Sequence, residues 1–339
     1  MVRSSQPSIS RLPSVSVVIV NYNSGELLKQ CLASLEKQTV RPLQIFVIDN
    51  ASSDGSADHL VTVNNVIFCP MPDNLGFAKG NNWAIRQCLS DYVALLNPDA
   101  FAEPDWLEQL LIATVNNPQV AAFGSRQLCS NKPEIIDGTG DVYHISGLAW
   151  RAGYGIEQQA DDLVEREIFA PCAAAALYGR EVLLSIGGFD EDYFCYVEDV
   201  DVGFRLRLAG YRALYVPNAV VRHVGSATTG GQHSEFSVYH GHRNLVWTFV
   251  KNVPGALFWL LLPLHLLLNV VSVLWFVRQG RGGAIIRAKR DALLGLPSVW
   301  KKRQKIQQTR VAKVGDIWTM MDKRFIGLKK RYKRSTIGG

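Results

Sequence analysis

No Cys-x-x-Cys pair occurs in the 339 residues. The six cysteines (Cys31, Cys69, Cys88, Cys129, Cys172 and Cys195) have no metal-site spacing. A cysteine-built metal centre is therefore disfavoured, and the apolar neighbours of most of these residues predict buried thiols in a reducing compartment. No G-x-G-x-x-G and no G-x-x-x-x-G-K-[ST] lies near the first loop, which argues against a dinucleotide dehydrogenase or a P-loop NTPase. Met1 to Pro13 is polar and lacks an apolar h-region, so no secretory signal is predicted. An aromatic-basic surface motif is also missing, so nucleic acid is not an expected partner.

Charge is present but uneven. Arg278 to Gly339 holds 18 Lys+Arg and 3 Asp+Glu, a net of +15, whereas the whole chain carries only +6. The body before Arg278 is thus acidic, at −9. An acidic body with a basic tail points to an anionic partner for the tail. At 47% hydrophobic the chain has material for a full core, in one large domain or two smaller ones.

The first half alternates strands with helices. Ser14 to Asn21 is a continuous β-branched run and reads as a buried strand. Leu27, Leu28, Cys31, Leu32 and Leu35 recur at helical spacing, giving a helix to about Gln38. Strands follow at Leu43–Ile48, Val66–Phe68 and Tyr92–Leu96, and a short helix is expected after Ala51–Ser56. Helices are predicted after Asn74–Asn82 and from Pro104. This alternation predicts an α/β fold with a mostly parallel sheet and flanking helices. Three strands end in polar clusters: Asn21-Tyr22-Asn23, Asp49-Asn50 and Asn97-Pro98-Asp99. They share one edge of the sheet, the carboxyl edge where such folds bind ligands. Asp99 there is either a helix N-cap or a seat for a divalent cation. A carboxylate in place of a glycine cradle suits a sugar nucleotide, whose diphosphate a cation bridges.

The second half is less regular. Val120–Phe123 reads as a strand, Gln127–Glu167 as glycine-rich loops that cover or select an acceptor, and Ala170–Tyr178 as a strand of small residues. A helix is predicted over Arg180–Ile186. Between Asp190 and Asp201 stand six carboxylates in twelve residues. Glu198-Asp199 lies at the N-terminus of a helix carrying Val200, Phe204, Leu206 and Leu208, so either acid is an N-cap or a general base. Tyr215–Pro217 and Val220–Val224 read as an edge strand ending at His223, a structural histidine or a metal ligand. The loop Gly225–Gly231 could close over a phosphate or the acceptor.

Six ordered stretches resemble glycosyltransferase family 2. They are Val17–Asn23, Asp49–Ser56, Asn74–Phe77, Leu96–Ala100, Gly187–Glu191 and Tyr196–Asp201. They look most like the rhamnosyltransferase-type bacterial members that build O-antigen and related cell-wall glycans. The resemblance implies a GT-A fold and inverting, metal-dependent transfer from a nucleoside-diphosphate sugar. It places a Mg2+ or Mn2+ ion on Asp99 and His223, and the base and ribose near Tyr22, Asn23, Asp49 and Asn50. Lys79 would meet the diphosphate. Asp199 matches the general base, with Glu198 beside it. Asn97 replaces the first acid of the family's Asp-x-Asp motif. The implied donor is dTDP-rhamnose, with a UDP-sugar as the alternative, and the acceptor a polyprenyl-linked glycan at the cytoplasmic face of the membrane.

Gly255 to Val277 is 23 residues without a charge, long enough to span a bilayer. Pro263, His265 and Asn269, together with the basic tail beyond, predict instead a kinked or re-entrant helical hairpin. Ile285–Trp300 and Ile317–Leu328 mix apolar and basic residues and suit the membrane interface. The expected organisation is an arm over 1–13, a catalytic domain over 14–250 and a membrane-associated hairpin and tail over 251–339. The catalytic domain divides into a nucleotide-sugar half, 14–125, and an acceptor half, 126–250. A nucleotidyltransferase and a non-catalytic nucleotide-sugar-binding subunit are the competing readings; the former needs a Gly-rich basic loop that Tyr22–Glu26 does not provide.

Overall fold

Alternate residues of the first strand, β1 (Val15–Asn21), are buried on opposite faces of one sheet. Val15, Val17 and Ile19 join one core cluster, and Val18 joins another. That is why Val17–Val20 is apolar throughout rather than alternating. The computed structural model describes residues 12–57, 65–225 and 234–324. Helix α1 (Glu26–Leu35) leads to β2 (Ile45–Asp49), then β3 (Val66–Pro70), α2 (Gly76–Gln87) and β4 (Tyr92–Leu96). The four strands lie in the order β3-β2-β1-β4, all parallel. The short helix expected after Ser56 falls outside the described residues.

Pro98 ends β4 as anticipated, and a short β5 (Ala100–Ala102) precedes α3 (Trp106–Asn116). Helices α1 and α3 cover one face of the sheet and α2 the other. Beyond β4 the sheet turns antiparallel. β6 (Val120–Cys129) runs well past Phe123 and pairs with β7 (Lys132–Gly138). The stretch 127–167 is not loop alone. It also holds β8 (Asp141–Tyr143), β9 (Ala149–Arg151), β10 (Ile156–Glu157) and β11 (Arg166–Glu167). These strands are too short, and too interrupted by glycine, for a periodic signal to develop.

The strand of small residues is β12 (Ala175–Gly179), between β4 and β6, followed by α4 (Arg180–Ser185). α5 (Glu198–Leu208) follows, and then β13 (Arg212–His223). β13 is not an edge strand. It pairs parallel to β6 and antiparallel to β5 and β11. A register shift between Val216 and Val220 spans Pro217, whose missing N–H made one strand look like two.

Four more helices follow among the described residues: α6 (Glu235–Asn252), α7 (Gly255–Arg278), α8 (Gly282–Gln308) and α9 (Val314–Met320). α5 joins them to the sheet. Val202 and Leu206 face the sheet cluster, while Val200, Phe204 and Leu208 face a cluster built with α6 to α9. The kinked or re-entrant hairpin expected within 255–277 is not formed: α7 is a single helix that runs through Pro263, and α8 packs back against it. The carbonyl that Pro263 leaves without a partner belongs to exposed Trp259. His265 meets Ser146 O at 2.8 Å through Nδ1, and Asn269 donates to His265 O at 2.7 Å, so neither side chain is stranded.

A buried ion network binds the helices to the body. Lys251 on α6 lies against Asp190 and 2.8 Å from Asp201, Arg205 pairs with Asp201 at 2.8 Å, and Lys302 on α8 pairs with Asp190. Burial alone pushes both carboxyls up. The charges of Lys251 and Lys302 at Asp190, and of Arg205 and Lys251 at Asp201, outweigh it and hold both below the usual carboxylate range. Since the folded values are depressed, this stabilisation is complete above the ordinary carboxylate pKa and is lost as pH falls through the depressed values. Lys251→Met is expected to lower stability by about 3 kcal/mol, because it leaves buried carboxylates underpaired. A urea unfolding curve that does not move would contradict that assignment.

Candidate active site

Parallel pairing of β1 with β2 and β4 brings the three polar strand ends to one edge. Asn21 stands opposite Asp49 in the ladder. Asn21 Nδ2 donates to Asp49 Oδ1 at 2.7 Å, and Ser52 Oγ donates to the same oxygen at 2.6 Å. The Asp49 carboxylate is thereby fixed at the rim. Asn50 is buried and donates through Nδ2 to Gly76 O at 3.2 Å, while its Oδ1 has no hydrogen-bond partner among the described residues. Tyr22 is exposed above this pair. Asn23 has a positive φ of 49° and its Oδ1 accepts from Ser53 N at 2.8 Å, so its side chain braces the loop. Lys79 is exposed on the first turn of α2, whose N-terminus meets Asn50.

Asp99 and His223 are far apart in sequence but adjacent in space. β13 pairs with β5 so that His223 stands opposite Ala100, the residue after Asp99. His223 Nε2 lies 3.2 Å from Asp99 Oδ1, and both residues are buried. That nitrogen makes no hydrogen bond among the described residues. On its other side His223 Nδ1 hydrogen-bonds Asp137 Oδ2 at 2.7 Å, and Asp137 Oδ2 also accepts from Arg151 Nη1 at 2.6 Å. Burial works against a charged His223. The hydrogen bond to Asp137 and the negative charges of Asp137 and Asp99 prevail and push it up to about 9. An imidazole Nε2 and a carboxylate converging, with the second ring nitrogen held by another carboxylate, is a donor set that fits a divalent cation. Asp137→Asn is expected to weaken Mn2+ binding by about 10–100-fold, read by calorimetry; an unchanged affinity would remove Asp137 from the site.

Glu198 and Asp199 open α5 directly after an unusual turn. Phe194, Tyr196 and Val197 all have positive φ, which is costly for side chains of this size and branching. Buried Asn244 on α6 holds the turn, donating through Nδ2 to the carbonyls of Tyr193, Cys195 and Tyr196 at 2.8–3.0 Å. Asp199 accepts from Ala173 N at 3.2 Å and from Val200 N at 2.8 Å. Burial raises its pKa, and those two backbone donors hold the rise back. Burial first, and then the charge of Asp199, push Glu198 and Asp141 well above the carboxylate range. The two backbone donors favour the ionised form of Asp199. Carboxylate oxygens of Asp141 and Asp199 and the Cys172 sulfur lie within 4.8 Å of one another. The charge of Arg151 acts on both Asp137 and Asp199, so this residue links the two halves of the site.

Asp137, Asp141, Arg151 and Asn244 did not emerge from the sequence. The first two flank Asp137-Gly138-Thr139-Gly140-Asp141, and that pairing of acids with glycines was the available signal.

A sequence profile for Glycosyl transferase family 2 matches residues 16–187, half of the chain. The chain belongs to glycosyltransferase family 2. The chain is 32% identical over 242 residues to an N-acetylglucosaminyl-diphospho-decaprenol L-rhamnosyltransferase of Mycobacterium tuberculosis, covering 63% of this chain and 77% of that one. It is 23% identical over 275 residues to a poly-beta-1,6-N-acetyl-D-glucosamine synthase of Staphylococcus aureus, covering 79% of this chain and 64% of that one. In structure this glycosyltransferase is similar to a mannosyltransferase of Pyrobaculum calidifontis solved with GDP-Man and Mn2+. The TM-score is 0.52 at 17% identity, over 90% of this chain and 88% of that one. GalNAc-T7, solved with UDP, GalNAc and Mn2+, gives a TM-score of 0.58 at 17% identity over 71% of this chain, which spans about half of that longer chain. These neighbours establish the GT-A fold.

Proposed function

We propose that this glycosyltransferase moves rhamnose from dTDP-rhamnose to a lipid-linked glycan, with inversion, at the cytoplasmic face of the membrane. The observation that carries the reading is the pairing of Asp99 with His223 at the carboxyl edge of the sheet, joined through Asp137 and Arg151 to the acid Asp199. Similar proteins whose names include a nucleotide, a sugar and Mn2+, or a decaprenol-linked acceptor, support it.

Asp99 and His223 would hold a Mg2+ or Mn2+ ion, with Asn97 beside them in place of a second acid. When bound, that ion neutralises charge growing on the leaving diphosphate. The ribose would rest against Asp49, and Lys79 would meet the diphosphate. Tyr22 would cover the base. The unpaired Oδ1 of Asn50 asks for an N–H donor, which the imide of thymine or uracil supplies. That same chemistry keeps a UDP-sugar as the second reading. Asp199 accepts the proton of the acceptor hydroxyl as its oxygen bonds to the anomeric carbon and the bond to the diphosphate breaks. One base without a covalent nucleophile gives inversion.

The reaction tests this directly. Full-length protein in detergent is given dTDP-rhamnose and an N-acetylglucosaminyl-diphospho-lipid, and the product linkage is read by NMR. Inverted configuration is expected, and retention would overturn the mechanism.

Membrane attachment is proposed for α7. It is the one helix among the described residues long and apolar enough to cross a bilayer, and only 17% of its most apolar window is buried. A core helix would be covered. Deleting 254–339 would also remove Lys302 and the packing on α6, so a gentler test is preferable. Leu267→Asp with Val271→Asp, both on exposed positions, is expected to shift the protein from vesicles to the supernatant. Unchanged sedimentation would contradict the assignment.

A further inference from the structure

Between α7 and α8, with α6 as its floor, lies a groove of about 1210 Å³. Its walls are apolar side chains, among them Leu262, Leu266 and Val270 of α7, Leu293 and Leu296 of α8, and Val250 of α6. On α7 it runs from Phe258 to Leu274, about 24 Å at the helical rise. This is a long channel rather than a compact pocket. Flanking residues that point away from the body are apolar as well: Trp259, Leu267 and Val271 on α7, and Leu294 on α8. The groove therefore opens on the surface proposed to meet lipid.

Lys289 and Lys301 line it, at opposite ends, and no carboxylate among the described residues does. Lys289 Nζ donates to the carbonyl of His242 on α6 at 3.0 Å. The next residue, Arg243, donates to the carbonyls of Asp192 and Tyr193, and Asn244 holds the turn that leads into Glu198 and Asp199. The Lys289 end of the groove is thus within one turn of α6 of the segment that sets the candidate base.

We propose that this groove seats the isoprenoid chain of the lipid-linked acceptor, its anionic diphosphate leaving at the Lys289 end toward Asp199. The length and apolarity of the channel suit a long hydrocarbon chain, and the Lys289 amine supplies a donor for a phosphorylated headgroup at one end. The proposal rests on the lipid-acceptor reading given above, and adds where the chain lies and that its length is recognised.

The test compares two acceptors with the same N-acetylglucosaminyl-diphospho headgroup, one on a ten-unit isoprenoid and one on a two-unit isoprenoid, using the full chain in mixed micelles. Leu266→Trp fills the groove; Leu267→Trp, on the neighbouring exposed position outside it, is the control. Leu266→Trp is expected to reduce the preference for the long acceptor, the ratio of the two kcat/KM values, by about tenfold. Leu267→Trp should leave that ratio as it is in the unsubstituted protein. Donor binding by calorimetry checks that both variants are folded. Equal use of both chain lengths by the unsubstituted protein overturns the groove proposal while keeping the lipid-acceptor reading. Equal effects of the two substitutions overturn it too, and point to bulk membrane insertion. If the unsubstituted protein uses neither lipid, while it glycosylates another acceptor, the lipid-acceptor reading fails and the groove proposal with it.

Discussion

Replacing Asp199 with Asn is expected to lower the rate of sugar transfer by about 10³-fold while donor binding stays within a few-fold of the original. The substituted amide keeps the volume and still offers one oxygen to Ala173 N or Val200 N, so the start of α5 should persist. What is lost is a base able to take the acceptor proton. A second readout separates this from a packing defect. Burial raises the pKa of Asp199, and only its ionised form accepts a proton. Transfer by the unsubstituted protein should therefore fall on the acid side, with a midpoint above the ordinary aspartate range. In Asp199→Asn the residual rate should lack that acid limb. Normal turnover by the variant would remove Asp199 from the role. Glu198 is the less suitable base, because burial and the adjacent acid keep its proton on.

Asp99→Ala is expected to abolish the Mn2+-dependent tightening of nucleotide binding and to lower kcat/KM by on the order of 10²–10³-fold. Asp99 is the carboxylate that faces His223 Nε2, and His223 keeps its bond to Asp137 without it. The imidazole should therefore stay in place, and a thermal unfolding curve near the original would show it. Mn2+ titration followed by calorimetry, without any sugar donor, isolates the ion from the chemistry. Unaltered Mn2+ affinity in Asp99→Ala would move the cation site elsewhere. The acids Asp141 and Asp199 with Cys172 would then be the group to substitute next.

The parallel block was legible because its strands are buried on both faces. β1, β2 and β4 are continuous apolar runs that end abruptly at Asn21, Asp49 and Asn97. Local pattern alone thus found the polar strand ends that share one edge. Long-range pairing was harder to see. His223 reaches Asp99 because β13 carries a bulge and pairs with β5, and nothing near His223 in sequence encodes that register. Asp137 lies near the end of a seven-residue strand whose sequence does not alternate, and Arg151 sits on a strand of three residues, too short for alternation to be readable. Asn244 was hidden for a different reason. It lies in a regular helix, and its importance comes from the left-handed turn it holds some fifty residues earlier. The C-terminal helices read as an appendage in sequence, yet Lys302 and α8 complete the packing around α5.

The central claim is that a nucleoside-diphosphate sugar binds at this edge with the help of a divalent cation on Asp99 and His223. Calorimetric titration of dTDP-rhamnose and a panel of UDP-sugars into the detergent-purified full chain, with Mn2+ and again with EDTA, tests it most directly. The account predicts selective binding of dTDP-rhamnose that needs Mn2+ and disappears in Asp99→Ala. Binding of any nucleotide sugar with the same affinity in EDTA, or in Asp99→Ala, would contradict it.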